Sequence, residues 1–465
     1  MLDTIAQLND AVRGVLWGPP LLILLLGTGL YFTCCTGVFQ LRYIRLWLGG
    51  ALRACLPHRK TDKDGQAISP FAAMCTALAA TVGTGNIAGV AAALAIGGPG
   101  AVFWMWVAAF FGMMTAFAEN TLGMLYRRRD ADGAWHGGPM YYLKDGLHAP
   151  GLAAAFSLCC ALASFGIGNM SQCNSIAGGL SGVFGVRPLA TGLATAALLG
   201  AVLLGGLKRL SRVTSLLVPA MALFYMGGAL IVLWCRREYI PQACGQILSG
   251  AFGLRAAGGG AAGFGLMQAM RVGVSRGVFS NEAGLGSSVM VHTAADAKEP
   301  CAQGMLAVFE VFFDTIVMCT ITALVVLTAG VYDPAQYARA VGTPLFDALP
   351  TGAALTAQSF SAVFGPAGGA FVAVSLALFA FSTLLGWSYY GQGAVRGLLG
   401  ERAVPVYQVL FVAAACAGCT MRLELAWALS DTFNALMALP NLVGVLALRR
   451  DVLAEWRRYA RANHI

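Results

Sequence analysis

The sequence predicts an all-α polytopic membrane protein of about eleven transmembrane helices, one leading helix followed by two blocks of five. Three observations point there. Apolar residues fill 58% of the 465 positions and charged ones only 11%, with a mean hydropathy of +0.70, whereas soluble domains carry roughly 25% charged residues. Apolar segments of about the 20 residues that a bilayer crossing needs recur along the whole chain, which marks 1–465 as a single transmembrane domain. Two of those segments, the ones that head the two blocks, are interrupted midway by glycine and polar residues.

In chain order the predicted spans are 16–39, 69–96, 99–126, 151–182, 187–206, 212–235, 262–294, 302–330, 362–394, 403–420 and 424–448. The first apolar run, near Val15 to Phe39, has no basic leader and no small-residue cleavage site, so it is expected to remain as a helix. The longer spans leave room for tilt, an interfacial turn or a break. The domain then divides into an extra N-terminal helix (16–39), a first five-helix repeat (69–235), a second (262–448) and a cytoplasmic tail (449–465). Two outer loops, 236–261 and 331–361, exceed hairpin length. The second carries Pro334, Pro344 and Pro350, and reads equally as a lid over an outer vestibule or as an exposed connector.

The net charge of +9 follows this topology and does not call for a nucleic-acid partner. On this count 21 of the 30 basic residues fall on one side, among them Arg42, Arg45, Arg53, Arg59, Lys60, Lys63 and the cluster Arg127-Arg128-Arg129, with the tail arginines from Arg449 to Arg461. Seven fall on the other, namely Arg13, Arg187, Arg236, Arg237, Arg255, Arg339 and Arg422. The positive-inside rule then puts the C-terminus in the cytoplasm and the N-terminus outside, in a multi-pass bacterial-type cytoplasmic (inner) membrane. The thirteen cysteines sit mostly inside apolar runs, such as Cys34, Cys35, Cys159, Cys160 and Cys319, and read as buried free thiols.

The segment Met74 to Ile96 is apolar, yet its middle, Thr81-Val82-Gly83-Thr84-Gly85-Asn86, makes a poor helix interior. In hydrocarbon the freed N–H and C=O groups find no water, so such a break survives only inside protein or along a wet cavity. The seventh span is interrupted in the same way, by Gly277 and then Phe279-Ser280-Asn281-Glu282-Ala283-Gly284. Paired interrupted helices at corresponding places point to an inverted-repeat transporter with its site near the midplane. The halves share no residue-level identity, so the repeat rests on position and topology. Half-helix N-termini suit a carboxylate. Unwound carbonyls and hydroxyls suit a hard cation such as Na+. An α-amino acid zwitterion uses both kinds of contact. Glycines that merely allow close packing would account for Gly89-Val90-Ala91-Ala92-Ala93, but not for the two threonines and the asparagine.

Ionisable residues within spans are functional candidates. Glu119 is expected near the inner interface, and Glu282, Arg276 and Arg271 lie in or beside the second break. Glu310 and Asp314 are four apart and share a face. One acid would be a proton or gating site, or Arg276 would pair with a carboxylate as a structural bridge; the second reading is preferred. His292 is expected to face a loop. Two other function classes fit less well. A channel needs a continuous polar lining, and polarity here is concentrated at two breaks. An enzyme needs a catalytic constellation, and no HExxH, GxSxG or Walker loop stands out.

The segments TVGTGNIAGVAAALAIGGPGAVFWMWVAAFFGM, HGGPMYYL, SFGIGNMSQCNSIA, GVSRGVFSNEAGLGS, FDTIVMCTITAL and STLLGWSYYG, spread from about Phe71 to Gly391, resemble the alanine/glycine:cation symporter family. The resemblance implies a LeuT-like fold with the 5+5 inverted repeat. It also implies uptake of a small neutral amino acid, alanine or glycine, coupled to Na+ or H+, with no other cofactor. A larger neutral amino acid such as glutamine is the alternative substrate. Carried over by position, it makes Thr84, Gly85 and Asn86 the part of the substrate site at the first break. Gln172 would face the same cavity, and Phe279, Ser280 and Asn281 would form the opposite wall. Thr383 and Trp387 lie one helical turn apart and share a face; Trp387 caps the pocket or else anchors at the interface. For the cation, the resemblance implies carbonyls of Ala79 and Val82 with the hydroxyls of Ser382 and Thr383, and a second ion would lie near Thr81 and Asn86. The sequence departs from the family pattern at Ser171, Cys173, Asn120 and Ser287-Ser288-Val289-Met290.

Overall fold

A computed structural model describes residues 14–56, 67–130, 133–252, 265–421 and 424–464, together with Asn9 and Val12. The protein is an all-α polytopic membrane protein. Among the described residues eight helices are long and apolar enough to cross a membrane, or nine if one bent pair counts as a span. The eight are α1 (Gly14–Cys35), α5 (Gly100–Tyr126), α6 (Pro150–Phe184), α8 (Gly206–Cys235), α12 (Pro300–Thr328), α15 (Pro366–Leu399), α16 (Glu401–Thr420) and α17 (Leu429–Ala447). After α2 (Ile44–Ala54) comes the bent pair, α3 (Pro70–Thr81) and α4 (Gly85–Gly97), which meet at 48°.

The shortfall from eleven falls on two expected spans. Helix α7 (Pro188–Leu203) has 16 residues, a rise of about 24 Å against the ~30 Å of a hydrocarbon core. The expected span 262–294 is divided into α10 (Leu266–Asn281) and the single turn α11 (Val289–His292). Of the basic residues weighed for topology, Arg13, Arg59, Lys60, Lys63, Arg255 and Arg422 lie outside the described residues, as does 253–261 of the first long loop.

Helix α5 is the hub, in contact with α1, α10 and α12. It can be approached because small residues face it. A Cβ on Gly277 would come within 3.2–3.4 Å of Ala108 Cβ and the Met105 backbone. This corrects the reading of Gly277 as a breaker: it lies inside α10, where it lets two helices touch, and the chain does not leave the helix until Glu282. Gly277→Leu is therefore expected to destabilise the protein by the ~1–3 kcal/mol of an overpacked contact, read as a lower melting temperature in detergent with helix content unchanged by circular dichroism.

The two long loops, expected outside, contain helices among their described residues. The first contains α9 (Ile240–Ala251). The second contains α13 (Pro334–Ala340), a 3-10 turn and α14 (Gly352–Phe364). Helix α14 leans on the start of α4, where Thr356 Oγ1 donates to the Ile87 carbonyl at 2.9 Å, and Tyr332 reaches the Leu94 carbonyl at 2.7 Å. Long connections without internal structure are uncommon in a compact domain, and here Pro334 and Pro344 start helical turns while Pro350 stands just before α14.

At the end where α3 begins, the chain is strapped to the end of α11. Ile68 N–H donates to the Ala294 carbonyl at 3.1 Å, and Asp296 N–H to the Ile68 carbonyl at 2.7 Å. Arg127, just past α5, donates to the Thr293, Ala295 and Ala297 carbonyls at 2.7–3.0 Å and stacks on Trp135, 4.1 Å from its ring centre. Burial pulls its pKa down to about 10, which leaves it charged at neutral pH.

All thirteen cysteines are free thiols. The expectation of burial holds for Cys75, Cys160, Cys173, Cys301, Cys319 and Cys419, whereas Cys34, Cys35, Cys55, Cys235 and Cys244 are exposed. A thiol is apolar enough to face outward from a membrane helix without cost. Cys416 and Cys419 also make a Cys-x-x-Cys spacing within α16.

Candidate functional site: a cavity between two helix breaks

The first break is made by side chains that replace lost helical bonds. Helix α3 stops at Thr81, and Val82 takes φ −76°, ψ 86°. Asn86 then folds back so that its Oδ1 accepts the Gly83 N–H at 2.9 Å, the local side-chain-to-backbone bond that asparagine makes at turns. The chain resumes as a π-turn, Gly85–Gly89, before becoming α-helical. Its first N–H groups have no intrahelical acceptor, so they remain as donors at the break.

The Asn86 amide nitrogen faces the other way. It donates to Asp314 Oδ1 at 2.7 Å and to the Asp314 carbonyl at 3.1 Å. The Asp314 Oδ2 accepts from Ser280 Oγ and Thr315 Oγ1, both at 2.8 Å. A buried carboxylate in α12 thus joins the first break to the end of α10. Gly85 also lies against Phe279 and Ser280, where an added Cβ would sit 3.6–3.8 Å away.

The second break begins later than expected, at Glu282. Its φ of 56° is left-handed, and its N–H still bonds the Val278 carbonyl at 2.9 Å, as a helix-ending residue does. The Asn281 Oδ1 accepts the Ala283 N–H at 3.0 Å, while its amide nitrogen donates to Thr315 Oγ1 at 3.0 Å. Gly284, at φ +88°, donates its N–H to Glu119 Oε1 at 3.3 Å. Asn441 in α17 bonds Glu119 Oε2 and the Gly284 carbonyl at 2.8 and 2.9 Å, and Tyr142 donates its hydroxyl to Asn441 Oδ1. Phe279, Ser280 and Asn281 are therefore helical, and the unwound stretch is Glu282 to Ser288.

Between the breaks lies one small cavity, with about 20 Å³ of space for water centres, room for one or two waters. Helices α3 and α4 contribute Ala80, Thr81, Gly83, Thr84 and Gly85, and α6 contributes Ile167 and Gln172. Phe279, Glu282, Thr383, Trp387 and Asn434 close it from the second half of the chain. Thr84 Oγ1 donates to Gln172 Oε1 at 3.1 Å, and Gln172 Nε2 donates to the Ile167 carbonyl at 3.0 Å. Trp387 is 2% exposed, and its Nε1–H donates to Glu282 Oε1 at 2.8 Å. It is a pocket residue, not an interfacial anchor. The close seat of Trp387 depends on the α6 backbone, since any Cβ on Gly168 would strike its Cβ and Cγ.

Of the substrate residues expected from sequence, Thr84, Gly85, Gln172, Phe279, Thr383 and Trp387 share this cavity. Asn86, Ser280 and Asn281 do not line it; their donor groups face Asp314 and Thr315 behind the wall. Of the cation residues, Thr383 lines the cavity and lies against Gly83. Ala79, Val82 and Ser382 are buried just outside it, where α3 and α15 nearly touch; a Cβ on Gly386 would lie 2.6 Å from Ala80 Cβ. Ser382 and Thr383 both back-bond the Phe379 carbonyl, at 2.8 and 3.1 Å.

Sequence reasoning placed neither Ile167 nor Asn434 in the site, and neither residue stands out in its segment. Glu282 was legible as an intramembrane acid beside a break, and its position inside the pocket follows from its left-handed turn. His292 is not loop-facing: it is buried, 2.9 Å from a Glu310 carboxylate oxygen and 2.6 Å from Gln303. The short helix α11 packs on α3, α5 and α15, and the His292 side chain reaches both partners on α12. Glu119 is likewise buried, among the groups that hold the second break. Arg276 stacks over Phe279, its guanidinium 5.7 Å from the ring centre.

The profile of the sodium:alanine symporter family matches residues 2–464. The sodium/alanine symporter AgcS of Methanococcus maripaludis is 44% identical over 464 residues, covering 98% of both chains. The probable sodium/glutamine symporter GlnT of Bacillus subtilis is 36% identical over 463 residues, 99% of this chain and 92% of its own. The putative sodium/proton-dependent alanine carrier protein YrbD of Bacillus subtilis is 34% identical over 465 residues, 99% and 93%. Identity at this level over essentially the whole length, together with a bent pair of apolar helices beside a polar cavity, leaves one conclusion: the chain belongs to the sodium:alanine symporter family and is a transporter, not an enzyme.

Proposed function

We propose that this protein is a secondary active symporter that couples uptake of a small neutral amino acid, alanine or glycine, to an inward Na+ gradient by alternating access. The observation that carries the reading is the single cavity into which both broken helices open, lined by Thr84, Gln172, Phe279, Thr383 and Trp387. The substrate carboxylate would meet the free N–H groups at Thr84 and Gly85, where the positive end of α4 favours an anion. Asn86, Ser280 and Asn281 would hold that wall from behind. Na+ would take the Ala79 and Val82 carbonyls with the hydroxyls of Ser382 and Thr383, an all-oxygen set suited to a hard cation.

Family membership supports Na+ as the coupling ion, and H+ remains the second candidate because one relative's name pairs the two. The relative named for glutamine supports a larger substrate as the second reading, but a cavity closed by Ile167, Phe279 and Trp387 favours the smallest side chains. The whole is read as a LeuT-like fold, one leading helix (16–39), two inverted five-helix repeats (69–235 and 262–448) and a cytoplasmic tail (449–465), in a cytoplasmic membrane with the N-terminus outside. Labelled alanine uptake into proteoliposomes tests this reading: a Na+ gradient should drive saturable accumulation and a K+ gradient should not. Ser382→Ala is expected to raise the Na+ concentration for half-maximal uptake about tenfold, since a bond to a charged partner is worth ~1.5–3 kcal/mol, with maximal rate recovered at high Na+. Non-saturating, gradient-independent flux would replace symport with a channel.

A further inference from the structure

Glu282 is the one ionisable side chain among the described residues that line the cavity. It is 6% exposed, and no basic side chain pairs with it among those described. Its Oε1 accepts from Trp387 Nε1–H and its Oε2 from the Ser287 hydroxyl. A carboxylate offers about four lone-pair directions, so two neutral donors leave it half satisfied. An unpaired charge in a low-dielectric interior is costly, and such groups persist where a partner arrives. The backbone is bent to put it there: a non-glycine residue at φ 56° ends α10 and turns the side chain toward the pocket.

We propose that Glu282 is the counter-ion for the ammonium group of the transported zwitterion, with Trp387 and Ser287 fixing its orientation. The proposal rests on the amino-acid reading above and deepens it, because it separates recognition of the amine from recognition of the carboxylate. The two ends of the ligand are met by different halves of the chain, N–H groups at the first break and a carboxylate at the second. Full occupancy then needs both breaks to face one cavity. Binding the zwitterion neutralises Glu282 without moving a proton, and no covalent step is involved. The geometry also explains the tryptophan. Its indole spends its single donor on the same carboxylate, which holds both the ring and the acid in place.

Glu282→Gln is nearly isosteric. Its amide oxygen still accepts from Trp387 and its amide nitrogen can donate to Ser287, so the variant removes charge while keeping the shape. Sodium-driven alanine uptake by the purified protein in proteoliposomes, inhibited by unlabelled alanine or by propionate, reads the result. Propionate has the carboxylate and methyl group but no ammonium. The wild type is expected to prefer alanine on the order of a hundredfold or more, as a buried charge pair would demand. In E282Q the preference should collapse to within a few-fold, mostly through weaker alanine binding. Glu282→Asp keeps the charge and should keep most of the preference. Equal losses for alanine and propionate would assign Glu282 a structural role and overturn the proposal. So would an unchanged preference, or a shift confined to the sodium dependence. Where E282Q is not recovered, Glu282→Ser supplies the same readout with water in the carboxylate's place. Failure of the wild type to take up alanine at all would instead strike the amino-acid reading itself.

Discussion

Alanine in place of Asp314 is expected to abolish sodium-driven uptake. Three side chains donate to that carboxylate, Asn86 at 2.7 Å and Ser280 and Thr315 at 2.8 Å each, all buried. Truncation takes this acceptor from all three and leaves Asn86 the backbone carbonyl of residue 314, and each buried group left unsatisfied costs ~1–3 kcal/mol. The loss falls on the contacts that join the first break to the end of α10, so the cavity wall loses its register even if the bundle assembles. Asp314→Asn keeps one acceptor and turns an N–H toward donors, so it should retain part of the activity. Initial uptake rates in proteoliposomes, with size-exclusion profiles to confirm assembly, decide the matter. A D314A protein transporting at the wild-type rate would mean that the two breaks do not depend on this link.

Gly386→Ala should act on sodium more than on substrate. A Cβ there would lie 2.6–2.9 Å from Ala80 Cβ, N and Cα. Backbone cannot swing aside as a side-chain tip can, so α3 and α15 must part. Overpacking of this kind costs ~1–3 kcal/mol, enough for a tenfold change in an equilibrium. Ala79 and Val82 lie within two residues of Ala80, and Ser382 and Thr383 lie a turn before Gly386, so the added separation falls on the oxygens assigned to Na+. Half-maximal Na+ should rise about tenfold, while alanine affinity at saturating Na+ stays within a few-fold. An unchanged sodium dependence would move the ion elsewhere.

What could be read in the sequence was set by how local its cause is. The break at Thr81 to Asn86 was legible because glycine and a side chain that can bond its own backbone are written at consecutive positions, and helix α3 does end at Thr81. The second break was placed early because Gly277 looks like the glycines of the first. Only its neighbour across the interface, the backbone of Met105, shows that it serves packing. Helix α7 was counted as a span on apolarity, although its 16 helical residues are short for one. Thr84, Gln172, Thr383 and Trp387 were legible as one group only through the family resemblance, since nothing in their separate segments says that they meet. Asn434, and the inward turn that buries His292 beside Glu310, depend on partners more than a turn away, which no periodicity records.

The bonds between Ile68 and the residues after α11 have a mechanical meaning. They pin the foot of one broken rod to the tail of the other by two amide contacts, and Arg127 clasps three more carbonyls on the same strand. A motion that splays these two ends must first unfasten that clasp. The five contacts together resist such a separation as a detent would.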